Sequence, residues 1–208
     1  MTTSATQPDT LPSPPHPVFY KSENPDALQF EDQRERDGKV YAVRLKRRLL
    51  IQTPAVALAT ALVDADGEVM PFSHLAPVGH FAAFLHRTEA AVLAACLANK
   101  DTWFRGAVED DALRAKFRTF FRPNGTVRVK VPEDVEVFDA AKSPAAPGDV
   151  PAGAQVRCIL ELAKISFGKS EFGASWKIVQ VQALPLPRCL ITDDAEGECS
   201  EDDDFYEV

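Results

Sequence analysis

Two long stretches near the end of the chain, QVRCILELAKISFG and ASWKIVQVQAL, are joined by nothing more than GKSEFG. A connection this short, bracketed by Gly168 and Gly173, folds two strands back on each other as a hairpin. Earlier stretches carry the same strand signal. KVYAVRLKRRLLIQTP alternates Tyr41, Val43 and Leu45 on one face with Ala42, Arg44, Lys46 and Arg48 on the other. TVRVKVP places Val127, Val129 and Val131 inward and Arg128 and Lys130 outward. Helical signals fall between these strands. FAAFLHRTEAAVLAACLANK has apolar residues at helical spacing, and EDDALRAKFRTFF begins with acids and ends with bases, as the helix dipole favours.

Strands, then helix, then strands predicts a mainly β fold with a helical insertion: a small OB-like five-stranded barrel. The chain's 208 residues suffice for one such domain plus tails. Residues 1–17 are Pro, Ser and Thr with little to bury, and are expected to be a disordered arm. Residues 18–191 form the expected domain. Within it AAKSPAAPGDVPAGA, residues 140–154, reads as a long mobile loop between two strands. Residues 192–208 form an acidic, aromatic tail. From 193 onward there are nine acids and no bases; removing these from the chain's 31 acids leaves 22 against 23 bases. The body is near neutral and the tail is anionic.

Signals for catalysis, metals and cofactors are missing. His74, His80 and His86 recur every six residues, which spreads them around a helix, and no Cys or carboxylate stands near them at ligand spacing. There is no Gly-rich phosphate loop or nucleophile elbow. DADGE, residues 64–68, resembles part of a calcium loop but lacks the remaining ligands, so it reads as a turn. Cys96, Cys158, Cys189 and Cys199 have no paired spacing, and three of them sit in apolar surroundings that suit buried thiols. No long apolar run or charged-then-apolar leader is seen. The expectation is an intracellular protein with no membrane partner.

The stronger signal is cations interleaved with aromatics, in RLKRR, WFRG, RAKFRTFFRPNGTVRVK and KISFGKSEFGASWK. On a sheet face, cations track a phosphate backbone while rings stack on unpaired bases at roughly 1–3 kcal/mol per base. The plain alternatives are a solvated strand face and, for Phe117, Phe120 and Phe121 at helical spacing, a core stripe. The tail of Asp202, Asp203, Asp204, Phe205 and Tyr206 combines repeated charge with flat rings, the two features of a single strand of DNA. It is suited to compete for the same groove. A merely solubilising tail does not require the aromatics.

LLIQTPAVAL, DTWFRG, VRVKVP…VEVFD and ISFGKSEFGASWKIVQVQ resemble the single-stranded DNA-binding proteins of nucleo-cytoplasmic large DNA viruses. Those in turn are similar to the OB-fold single-stranded DNA-binding protein of short-tailed bacteriophages. The most specific parts are Gln52-Thr53-Pro54 and the Gly-x-x-x-Phe-Gly-x-x-Trp-Lys hairpin leading to Gln180. The resemblance implies a non-enzymatic coat for exposed single strands in viral DNA replication, recombination and repair, working in the host nucleus or a cytoplasmic viral factory. It implies self-association as a homodimer and a tail that recruits replication proteins such as a polymerase, helicase or primase. The contacts it implies are Arg44, Lys46, Arg48, Trp103, Arg105, Arg128, Lys130, Lys164, Lys169, Phe172, Trp176 and Lys177. The family pattern departs at Glu207 and Val208, which follow the aromatic pair. A rival reading is a non-catalytic assembly protein whose tail binds basic proteins.

Overall fold

The computed structural model describes residues 17–36, 39–104 and 108–185. The strands are β1 (Val18–Phe19), β2 (Phe30–Arg36), β3 (Lys39–Gln52), β4 (Val56–Leu58), β5 (Phe72–Ala76), β6 (Val127–Lys130), β7 (Glu136–Phe138), β8 (Pro144–Ala145), β9 (Gln155–Phe167) and β10 (Phe172–Ala183). Three helices, α1 (Gly79–Ala98), α2 (Lys100–Trp103) and α3 (Asp110–Lys116), lie between β5 and β6.

Five strands close into a ring. β4 pairs with β5, β5 with β6, β6 runs parallel to β10, β10 returns along β9, and β9 pairs with β4. This is the expected OB-like barrel with a helical insertion. Two prolines shape it. Pro54 separates β3 from β4, and Pro132 separates β6 from β7; neither can donate to a ladder, so each strand breaks and resumes at a new angle. β3 and β4 then serve successive parts of β9, while β6 and β7 serve successive parts of β10. β1 and β2 extend the sheet beyond β3, and β8 beyond β7.

Alternation along β9 and β10 sends Leu160, Leu162, Ile165, Trp176 and Ile178 into the barrel, all fully buried. Each buried aliphatic side chain contributes about 1.5–3 kcal/mol. α1 is twenty residues long and apolar enough to span a membrane by length and composition, contrary to expectation. It buries Phe81, Phe84, Leu85, Val92 and Cys96 in the protein core, the ordinary use of such a helix. Burial pushes the Cys96 and Cys158 thiols up to about 12. The DADGE turn is present: Asp64 Oδ1 accepts from the N–H groups of Asp66 and Glu68, both at 3.0 Å, and Gly67 takes φ +83°.

Three expectations need correction. Tyr41 is 45% exposed while Ala42 is buried, so the alternation assigned to β3 fails at its start. It fails again at a bulge. Arg44 pairs with Lys164 and Leu49 with Leu162, so residues 45–48 oppose Ala163 alone, and Lys46, Arg47 and Arg48 all project outward. The stretch 140–154 is anchored rather than loose. It contains β8, buries Val150, caps itself through Asp149, and bonds the Gly153 N–H to the Leu58 carbonyl at 2.7 Å. Finally, α3 stops at Lys116, and the chain leaves the helix as a ledge that bridges β10 at Phe117 and β6 at Phe121. Only Phe120 of the three phenylalanines is fully in the core.

That ledge lies against the backbone of Gly173. A Cβ there would meet the Arg118 carbonyl oxygen at 2.8 Å, which explains the second glycine of the hairpin motif. Gly173→Ala is expected to destabilise the protein by about 1–3 kcal/mol through this overlap, read by urea unfolding. Wild-type stability in that variant would show that the ledge does not press on β10.

Candidate nucleic-acid interface

The outer surface of β5, β6 and β10 is built by register. Phe72 pairs with Lys130, Lys130 with Lys177, and Lys177 with Glu161, giving one cross-strand row. His74 pairs with Arg128 in the neighbouring row. Val127 and Val129 point inward and Arg128 and Lys130 outward, as the alternation predicts. The Arg128 guanidinium carbon sits 3.4 Å from the Phe72 ring centroid, so ring and cation form one stacked unit.

The ledge after α3 adds two cations. The Arg118 N–H donates to the Phe172 carbonyl at 2.8 Å, and its guanidinium donates to Ser175 Oγ at 3.0 Å and pairs with Glu171 at 3.0 Å. The ledge then turns through Pro123, Asn124 and Gly125, with Gly125 at φ +78°, and this turn holds Arg122 beside Arg128. Arg118, Phe72, Arg128, Lys130 and Ser175 line a hollow of 150 Å³. A second hollow of 420 Å³ is lined by His74, Arg122, Thr60 and Asn124.

The charges on this face repel one another. Lys130 is pushed below the usual lysine range, first by partial burial and then by Arg118, Lys164 and Arg128. Arg128 is lowered by burial, Arg122 and Arg118, with Glu171 opposing. His74 is lowered by burial, then by Arg122 and Arg128, and its ring Nδ1 shares a 3.2 Å hydrogen bond with Thr60. Among the described residues no carboxylate forms an ion pair with Arg122, Arg128, Lys130, Lys164 or Lys177. An array of cations held together with Glu171 and Glu161 as its nearby counter-charges is relieved further by a polyanion.

The other implied contacts divide. Arg44 and Lys164 are exposed partners on β3 and β9. Lys46 and Arg48 are exposed but paired with Glu31 at 3.5 Å and Glu161 at 3.4 Å, as Arg47 is with Glu23 at 2.7 Å. Lys169 is exposed at the β9–β10 turn. The aromatics do not serve as expected. Trp176 is 0% exposed inside the barrel with its indole N–H unpartnered, Trp103 is 7% exposed against Phe30 and Phe167, and Phe172 is buried among Phe104, Phe117 and Phe167. None offers a face for stacking, because each occupies an inward register position or the aromatic core cluster. Arg105 and the tail, Asp202, Asp203, Asp204, Phe205 and Tyr206, lie outside the described residues.

Phe72, His74, Arg118 and Arg122 were missing from the implied contacts. The signal for Arg122 was available: FFRPNGTVRV carries a Pro-Asn-Gly turn between apolar residues, which ends a helix and opens a hairpin.

The chain is thus an OB-like barrel with a cationic strand face. The chain belongs to a family of unknown function (DUF5871), whose model matches residues 77–192. No curated protein matches it. Among solved structures it is similar to the single-stranded DNA-binding protein from bacteriophage Enc34 in complex with ssDNA. That match has 10% identity, covers 78% of this chain and 97% of that one, and has a TM-score of 0.44. It is also similar to gp2.5, a single-stranded DNA-binding protein encoded by bacteriophage T7, at 11% identity, 78% and 100% coverage, and a TM-score of 0.43.

Arg122→Ala is expected to raise the His74 pKa toward its ordinary 6.5 without restoring it fully, because burial is the larger cause. A pH titration of the imidazole by NMR reads the shift. An unmoved titration would mean that Arg122 does not face His74.

Proposed function

We propose that the chain binds single-stranded DNA across the outer face of β5, β6 and β10, with little dependence on base sequence. The observation that carries this reading is the gathering of Arg118, Arg122, Arg128, Lys130 and Lys164 around one strand face, where burial first and mutual repulsion second hold Arg128 and Lys130 below their ordinary pKa values. The face that holds it is the one OB barrels use for oligonucleotides. The Phe72–Arg128 stack presents a flat cationic platform on which a base can lie. Unpaired bases can reach such a platform, whereas the stacked bases of a duplex cannot.

The resemblance supports a role in viral DNA replication, recombination and repair. The nine acids after residue 192 complement the cations of the face, so the tail competes with DNA and, when displaced, recruits replication partners. Cations carry most of the affinity in this scheme, since both indoles are buried.

Anisotropy of labelled dT20 across a salt series tests the interface. Arg128→Ala combined with Lys130→Ala is expected to weaken binding and to flatten the log–log salt slope by about 1.4, or roughly 0.7 per lost phosphate contact. Tight binding with an unchanged slope in that variant places the strand elsewhere. Deleting residues 193–208 is expected to tighten dT20 binding at low salt; unaltered affinity would rule out competition by the tail. Because the indoles are enclosed, tryptophan fluorescence should change little when dT20 binds.

A further inference from the structure

Two glutamines that stand out in the sequence, Gln52 of Gln52-Thr53-Pro54 and Gln180 at the end of the hairpin motif, take no part in the β5–β6 face. The fold nevertheless brings their glutamines together. Gln52 pairs with Ile159 on β9, Ile159 with Gln180 on β10, and Gln180 with Glu136 on β7, so the four residues form one row across four strands. Arg157, Gln182 and Phe138 form the adjacent row. A register shift between Ile178 and Gln180 is what turns Gln180 and Gln182 outward; Val181 between them is fully buried.

These rows line a pocket of 330 Å³ formed by Gln52, Gln180, Gln182, Phe138, Arg157 and Lys142. That volume is at the small end for ligand sites and suits a single nucleotide. Its chemistry is selective. Each amide presents a donor and an acceptor side by side, a pattern matched by the edge of a base and not by a phosphate or carboxylate. The half-buried Phe138 ring adds a flat apolar surface, and exposed Arg157 and Lys142 bring positive charge to the rim. Gln180 Nε2 donates to Glu136 Oε2 at 2.5 Å, which orients its amide. Thr53 is committed to structure: its Oγ1 accepts from the Cys158 N–H at 2.9 Å and fixes the end of β3 against β9.

We propose that this glutamine pocket is a base-reading subsite on the strand's path, which adds to the sequence-tolerant binding of the cationic face a preference at one position for adenine, whose N6 and N7 pair bidentately with a glutamine amide. The proposal rests on the strand-binding reading above. Gln180 lies three residues along β10 from Lys177, roughly 10 Å at strand rise, so one strand can cross the cationic face and reach the pocket.

The test is anisotropy with dA20, dT20 and dC20 at one salt concentration. It compares wild type with Gln180→Ala/Gln182→Ala and with Gln180→Met/Gln182→Met, which keeps side-chain bulk should the alanine pair lower the melting temperature. The quantity read is the ratio of dT20 to dA20 dissociation constants, because stacking within dA20 itself cancels between variants. Both substituted proteins should show that ratio reduced about tenfold from wild type, with the salt slope retained. A ratio unchanged by the substitutions, or equal losses on all three oligomers, overturns the subsite while leaving strand binding in place. Failure of the wild-type protein to bind any oligomer would remove both proposals together.

Discussion

The β9–β10 hairpin is the element on which the rest of the protein depends. Of the other three barrel strands, β4 hydrogen-bonds to β9 and β6 to β10, and β5 bridges those two. β3 and β7 are laid on the remaining lengths of the same pair. Its inward residues supply the centre of the core, and its outward residues connect the cationic face to the glutamine pocket. Two register shifts within the hairpin decide which residues fall on which side. One backbone pairing therefore sets both packing and surface chemistry.

The cationic face shows a tension between stability and use. Arg118, Arg122, Arg128 and Lys130 oppose one another, yet each is fixed by structure formed for other reasons: two by β6, one by the ledge on β10, one by the Pro-Asn-Gly turn. Repulsion that would splay a flexible segment is held in place by buried valines and by the barrel's hydrogen bonds. The β3 bulge makes the opposite choice. Its three projecting cations each meet a carboxylate from a different part of the chain, at Glu31, Glu23 and Glu161. Exposed pairs of this kind contribute little to stability, but they lower the local positive potential. The two basic stretches look alike in sequence and differ in surroundings.

Much of the fold was legible in the sequence, because periodicity and turn chemistry are local. The long hairpin, the alternating TVRVKV strand, the Asp-Gly turn and the twenty-residue helix follow from residues near one another in the chain. Less of the interface was legible. Arg128, Lys130 and Lys177 could be placed on an outward face, but Trp103, Phe172 and Trp176 could not be assigned a side. An aromatic in a strand suits core and surface stacking equally well until the register is known. The helix-to-ledge change at Lys116 hid Arg118, since the helical pattern of EDDALRAKFRTFF continued past the point where contact with Gly173 and β10 ended it.

The sequence by itself determined that this chain makes a strand-rich barrel with a helical insertion, because alternation and turn residues act within a few positions. It also determined that acids and bases balance over a near-neutral body and that the excess of acids is concentrated at one end. Only the tertiary structure decided which cations share a face and which are neutralised, and that both indoles are interior. It alone brought Gln52 and Gln180 to one pocket, on either side of Ile159. Those outcomes depend on bulges and on pairings between residues as many as 124 positions apart, Ala42 with Ser166, and a bulge of one residue reverses the side on which every later side chain emerges.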